Sequence, residues 1–158
     1  MYLNCRTWYS LRYGTISPII LVDEAIKRGI TTLVITDINN STAFLEVLKA
    51  AVGKPLKLIA GIEFQDAQNH TLYIGIAQNR VGFQHLNNFL STHLIEQTPL
   101  PLRAPQLPNV YFVYPAARIT KPELLFPWEF IGISPLKVNQ LAFGKLRHHP
   151  EKLLFCHT

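Results

Sequence analysis

The sequence predicts an α/β fold built on a mostly parallel sheet. Three observations carry that prediction: β-branched runs alternate with stretches of helical spacing, those stretches open and close on capping residues, and the strand-then-helix order repeats along the chain.

Tyr2 to Cys5 reads as a short first strand. Ser17-Pro18 supplies an N-cap with proline at the first helical position, so a helix is expected through Arg28, stopping at Gly29. Thr32 to Thr36 is the second strand, and Thr42 to Ala51 places Phe44, Val47, Leu48 and Ala51 at helical spacing before Gly53. Lys57 to Phe64 and Thr71 to Ala77 follow as strands, able to pair through the polar turn Gln65 to His70. Gln78-Asn79 then caps a helix whose buried face is expected to hold Val81, Leu86, Phe89 and Leu90.

Thr98 to Pro108 contains four prolines and reads as a connector, since proline breaks helices and central strands. Beyond it, Asn109 to Tyr114 is strand-like, Lys121-Pro122-Glu123 opens a short helix, and Phe130 to Ile133 is a strand. Ser134-Pro135 starts a helix toward Phe143, and Lys152 to Cys156 is a last strand. In such βα units the loops after parallel strands converge on one rim, which singles out Asn4 to Gly14, Asp37 to Asn40 and Glu63 to Gln65.

Composition sets bounds on function. At 158 residues the chain accommodates one domain, and 48% hydrophobic against 16% charged residues excludes a disordered tail. No apolar stretch reaches the roughly 20 residues of a membrane span, and the start carries no targeting pattern, so a cytoplasmic location without membrane association is expected. Cys5 and Cys156 form no C-x-x-C pair and are expected to be reduced thiols. The net charge of +5 favours polyanionic partners, yet Lys and Arg are scattered and form no run.

The six histidines, His70, His85, His93, His148, His149 and His157, show no ligand spacing on a common helix. The last three, with Cys156, would approach the rim if the barrel closes. Ser10 and Asp37 lie outside any G-x-S-x-G elbow, and the glycines make no phosphate-binding loop. Trp8 and Trp128 suit interface packing better than base stacking.

At the rim, Asn4-Cys5-Arg6-Thr7-Trp8-Tyr9-Ser10-Leu11-Arg12-Tyr13-Gly14 keeps the frame of a pattern H-x-H-x-x-Y-S-L-x-D-G. Thr36-Asp37-Ile38-Asn39-Asn40 and Ile59-Ala60-Gly61-Ile62-Glu63 match T-D-H-x-N and I-x-G-x-E, and Leu72 to Ser91 matches a strand ending in A-x-N before a helix. With these motifs in order, the chain resembles the PHP (polymerase and histidinol phosphatase) family, most closely the version opening bacterial DNA polymerase III α chains.

The resemblance implies a PHP-type distorted (β/α)7 barrel, mostly parallel and incomplete at the C-terminus, with residues 1–158 as a single PHP-like domain from the N-terminus of a longer polymerase chain. It implies a non-catalytic scaffold for a DNA-directed DNA polymerase, with a free-standing metal-dependent phosphoesterase as the alternative. Implied partners are the remainder of the α chain, a proofreading exonuclease subunit, and DNA through the parent polymerase, whose Mg²⁺ would be held outside this segment.

In competent family members a histidine- and carboxylate-rich cluster binds divalent metals. Here the corresponding positions are Asn4, Arg6, Tyr13, Ile38 and Glu63, beside Asp37, and only Glu63 retains a ligand, so a metal-free site is expected. A permanent cation at Arg6 repels a metal ion; it is expected to fill the vacated space and pair with Glu63 or Asp37, or else to point outward from an edge strand.

Overall fold

The computed structural model of the chain describes residues 2–134 and 145–156. The expected helix from Ser134-Pro135 to Phe143 therefore lies outside the described residues, apart from Ser134 itself, as does His157.

Among the described residues seven strands form one sheet in sequence order: β1 (Tyr2–Cys5), β2 (Thr32–Ile35), β3 (Lys57–Gln65), β4 (Thr71–Ala77), β5 (Val110–Pro115), β6 (Glu129–Ile133) and β7 (Leu153–Phe155). All neighbouring pairs are parallel except β3–β4 and β4–β5, so β4 alone runs against its neighbours. The sheet curls into an incomplete, mostly parallel barrel, as the resemblance implies. The antiparallel β3–β4 hairpin turns at Asp66, whose carboxylate accepts from the Gln68 and His70 amides.

Among the described residues three α-helices cover the outside: α1 (Pro18–Lys27), α2 (Ala43–Ala50) and α3 (Arg80–Glu96). Ser17 caps α1 by accepting from the Ile20 amide, and α1 ends at Gly29, whose φ of 68° is open to glycine at little cost. Asn79 caps α3 in the same way, through the Gly82 amide. The short helix expected at Lys121 is a single 3-10 turn, Pro122–Leu124.

Side chains alternate across the sheet, which creates two cores. Ala60, Ile62, Phe64, Leu72, Tyr73 and Phe112 of β3, β4 and β5 pack with Leu86 and Leu90 of α3 in one core. Each of the buried leucine, isoleucine and phenylalanine side chains contributes about 2 kcal/mol. Val22, Ala25, Leu33, Ile35 and Val47 form the matching layer under α1 and α2. On the concave face, Ile74, Val113 and Cys156 pack with Leu3 and Phe130.

Two expected core residues point elsewhere. Val81 is 48% exposed, because Gly82 takes the buried position: a Cβ there would lie 2.0 Å from the Asn109 carbonyl oxygen, so only glycine allows α3 this close. Leu48 is also exposed, since Ala43 and Val47 supply the buried face of α2. Among the described residues no helix is long and apolar enough to cross a membrane.

Candidate functional site

Because β1, β2 and β3 are parallel neighbours, Arg6, Asp37 and Glu63 arrive at the same rim from three adjacent strands. In β1, Asn4 adopts φ 64° at a break in strand register, a conformation that Asn tolerates and that redirects the chain. Its side-chain oxygen accepts from the Thr36 hydroxyl at 2.7 Å, tying the break to the end of β2.

From the end of β1, Arg6 reaches across β2 to β3, a span of about 10 Å at two interstrand spacings. Its Nε and Nη2 donate to the two carboxylate oxygens of Glu63 at 2.7 and 2.8 Å, a bidentate pair. Glu63 is fully buried, whereas the Arg6 side chain keeps 23% exposure, with its guanidinium 5.9 Å from the centre of the Tyr13 ring. The Thr71 hydroxyl and the Gln65 amide also donate to Glu63, at 2.6 and 3.0 Å. Of the placements expected for Arg6, the structure has the inward one, with Glu63 as partner.

Asp37 serves the neighbouring loop. Its carboxylate accepts from the Thr7 amide at 2.6 Å, the Thr7 hydroxyl at 2.8 Å and the Ser10 hydroxyl at 2.6 Å. Ser10 Oγ in turn accepts from the Ile38 amide, so the serine is a structural link and is not arranged as a nucleophile. Gly14 closes the same loop, lying so near the Thr7 carbonyl that a Cβ would come within 1.7 Å of that oxygen. The inner surface of the loop is thereby fastened, and Trp8, Leu11 and Tyr13 are left exposed on its outer surface. Asn39, with φ 45°, exchanges hydrogen bonds with the backbone of Gln65 and holds the β2 loop to β3.

The donor chemistry does not fit a divalent cluster. The positions that correspond to ligands carry an amide (Asn4), a guanidinium (Arg6), a phenol (Tyr13), an aliphatic chain (Ile38) and one carboxylate, Glu63, both of whose oxygens are already paired. Among the described residues the buried Gln65 Oε1 atom has no hydrogen-bond partner, but one neutral acceptor beside a guanidinium makes no cation cage. Among the described residues no three His, Cys, Asp or Glu side chains converge as a metal site. Cys156 faces the interior beside Val113 and Ile74, and burial raises its pKa to about 11. Cys5 is pushed higher, to about 12, by burial and then by the charge of Asp37.

A third buried carboxylate, after Glu63 and Asp37, escaped sequence reasoning. Glu129, 1% exposed, accepts from Arg103 at 2.8 Å, from the Tyr114 hydroxyl at 2.8 Å and from the Phe126 amide at 2.9 Å. Burial pushes its carboxyl pKa up, but these three donors outweigh that effect and leave it below its ordinary value. The available signal was an acid opening an otherwise apolar strand; its partners lie too far along the chain for spacing to reveal them.

The profile of the PHP domain matches residues 3–122. A comparison with curated proteins finds no significant match. Among solved structures, a Bifidobacterium adolescentis protein assigned as a metal-dependent phosphoesterase is similar at 22% identity, over 60% of this chain and 34% of that one, with a TM-score of 0.41. An amidohydrolase from Chromobacterium violaceum, with bound sulfate and no metal, is similar at 19% identity over 61% and 34%, with a TM-score of 0.47. The matched part thus spans about a third of the length of either structure.

Proposed function

The chain belongs to the PHP domain family, and from that premise we propose that it is a non-catalytic scaffold, the N-terminal module of a DNA polymerase III α-type replicase. The observation that carries the loss of catalysis is the bidentate Arg6–Glu63 pair. A guanidinium bound to the one remaining ligand supplies internally the positive charge that a divalent ion would bring, and a metal would have to displace it against repulsion.

The polymerase context rests on the motif frames at Asn4–Gly14, Thr36–Asn40 and Ile59–Glu63, and on the segment from Leu72 to Ser91. On this reading the domain packs against the catalytic body of the same polypeptide and contacts a proofreading exonuclease, while DNA and Mg²⁺ are engaged by the polymerase body.

Two measurements test the proposal. Elemental analysis of the purified protein and hydrolysis of bis(p-nitrophenyl) phosphate with added Mn²⁺ or Zn²⁺ are expected to give no bound stoichiometric metal and no turnover above the blank. Metal-dependent turnover that disappears in Glu63→Gln, with the fold retained, would establish the free-standing phosphoesterase instead. Peptide mapping of the native polypeptide is expected to find polymerase sequence beyond Thr158, and its absence would remove the replicase context.

A further inference from the structure

A groove of about 510 Å³ lies between the proline-rich connector and the turns that follow β5, and it shares no lining residue with the rim site. We propose that this groove binds a small molecule with an anionic head on an apolar body.

Leu102, Ile119 and Leu124 supply apolar lining, while Arg103, Arg118 and Lys121 supply positive charge, and among the described residues no acidic side chain lines the groove. Leu102 and Leu124 are largely exposed, so water meets apolar surface that a ligand would cover. The volume lies in the range of small-molecule sites.

The cationic lining is built, starting with Arg103. The buried Glu129 holds its Nε and Nη2, the Leu124 carbonyl accepts from Nη2 at 3.1 Å, and the Phe126 ring lies 4.7 Å beneath. Held in this way, Arg103 remains half exposed, with the rest of its donor fork available. Arg118 is only loosely engaged, 3.8 Å from Asp66, and Lys121 has no ion-pair partner among the described residues. The buried Glu129 carboxylate thus orients a cation at the groove.

The same geometry disfavours a nucleic-acid strand. Stacking on bases needs free aromatic faces; here the Phe126 ring is stacked with Trp128 and faces Arg103, and Tyr114 is buried with its hydroxyl donating to Glu129. An aliphatic or compact apolar body fits the leucine lining better.

Isothermal titration of the full chain with decanoate and with decyl phosphate tests the proposal, using decyltrimethylammonium and inorganic phosphate as contrasts. Both alkyl anions are expected to bind at one site, and both contrasts to bind at least about tenfold more weakly. Lys121→Glu and Leu124→Asp alter exposed side chains, and each is expected to weaken the alkyl anions by about tenfold. Equal binding of the alkyl ammonium, unchanged affinity in both variants, or no binding of either alkyl anion overturns the proposal.

Discussion

Arg6 and Glu63, 57 positions apart in the chain, meet in a bidentate ion pair that bridges β1 and β3 over the end of β2. Breaking it from one side strands a fully buried carboxylate. Arg6→Ala is therefore expected to cost about 3 kcal/mol in urea unfolding, and the double change Arg6→Met with Glu63→Met distinctly less than the sum of the single changes. An Arg6→Ala protein within about 0.5 kcal/mol of the parent would show that the pair is not held as described.

Asp37 organises the loop after β1 through three donors. Asp37→Ala removes their common acceptor, and unfolding free energy is expected to fall by about 2 kcal/mol or more. The Thr7 amide should lose its protection in hydrogen exchange while Val34 in β2 keeps its own. Unchanged protection at Thr7 would contradict the arrangement.

Gly14 fits because it lacks a side chain. Gly14→Ala is expected to destabilise by about 2–3 kcal/mol, since the contact it would make is with backbone, which cannot rotate away. A melting temperature equal to that of the parent would sink this account.

The thiols carry a pH signature. Folding raises the pKa of Cys5 to about 12 and that of Cys156 to about 11, so between the ordinary value of 9.0 and those values the folded state holds protons that the unfolded chain has released. Their contribution to stability is intact below 9.0 and falls as pH rises above it. Both thiols should resist a disulfide reagent at about pH 8 and react fully in denaturant. Rapid labelling of the native protein at that pH would refute the burial of Cys156 and the raised pKa of Cys5.

Much of this architecture was legible from residues alone. Ser17 and Asn79 announce their helices, the β-branched run from Thr32 marks β2, and the polar turn at Asp66 foretells the reversal into β4. The three rim loops followed from strand direction, and the charge of Arg6 called for a carboxylate. What spacing does not encode is convergence: nothing local tells that Thr71 will donate to Glu63, or that Arg103 will find Glu129. Helix phase failed at Val81 for a related reason, since the neighbour that Gly82 must approach, Asn109, belongs to a distant segment.

The reversed strand β4 bears on the order of assembly. Its hairpin with β3 closes through a five-residue turn, whereas the parallel pairs must first close crossovers, which costs more chain entropy. During refolding, pulse-labelled amides of Ile62 and Ile74 are expected to gain protection before those of Leu33 and Ile131, and the opposite order would place the nucleus elsewhere. On this sequence of events the carboxylate waits on an early hairpin, and the arginine that clasps it arrives last, as a latch.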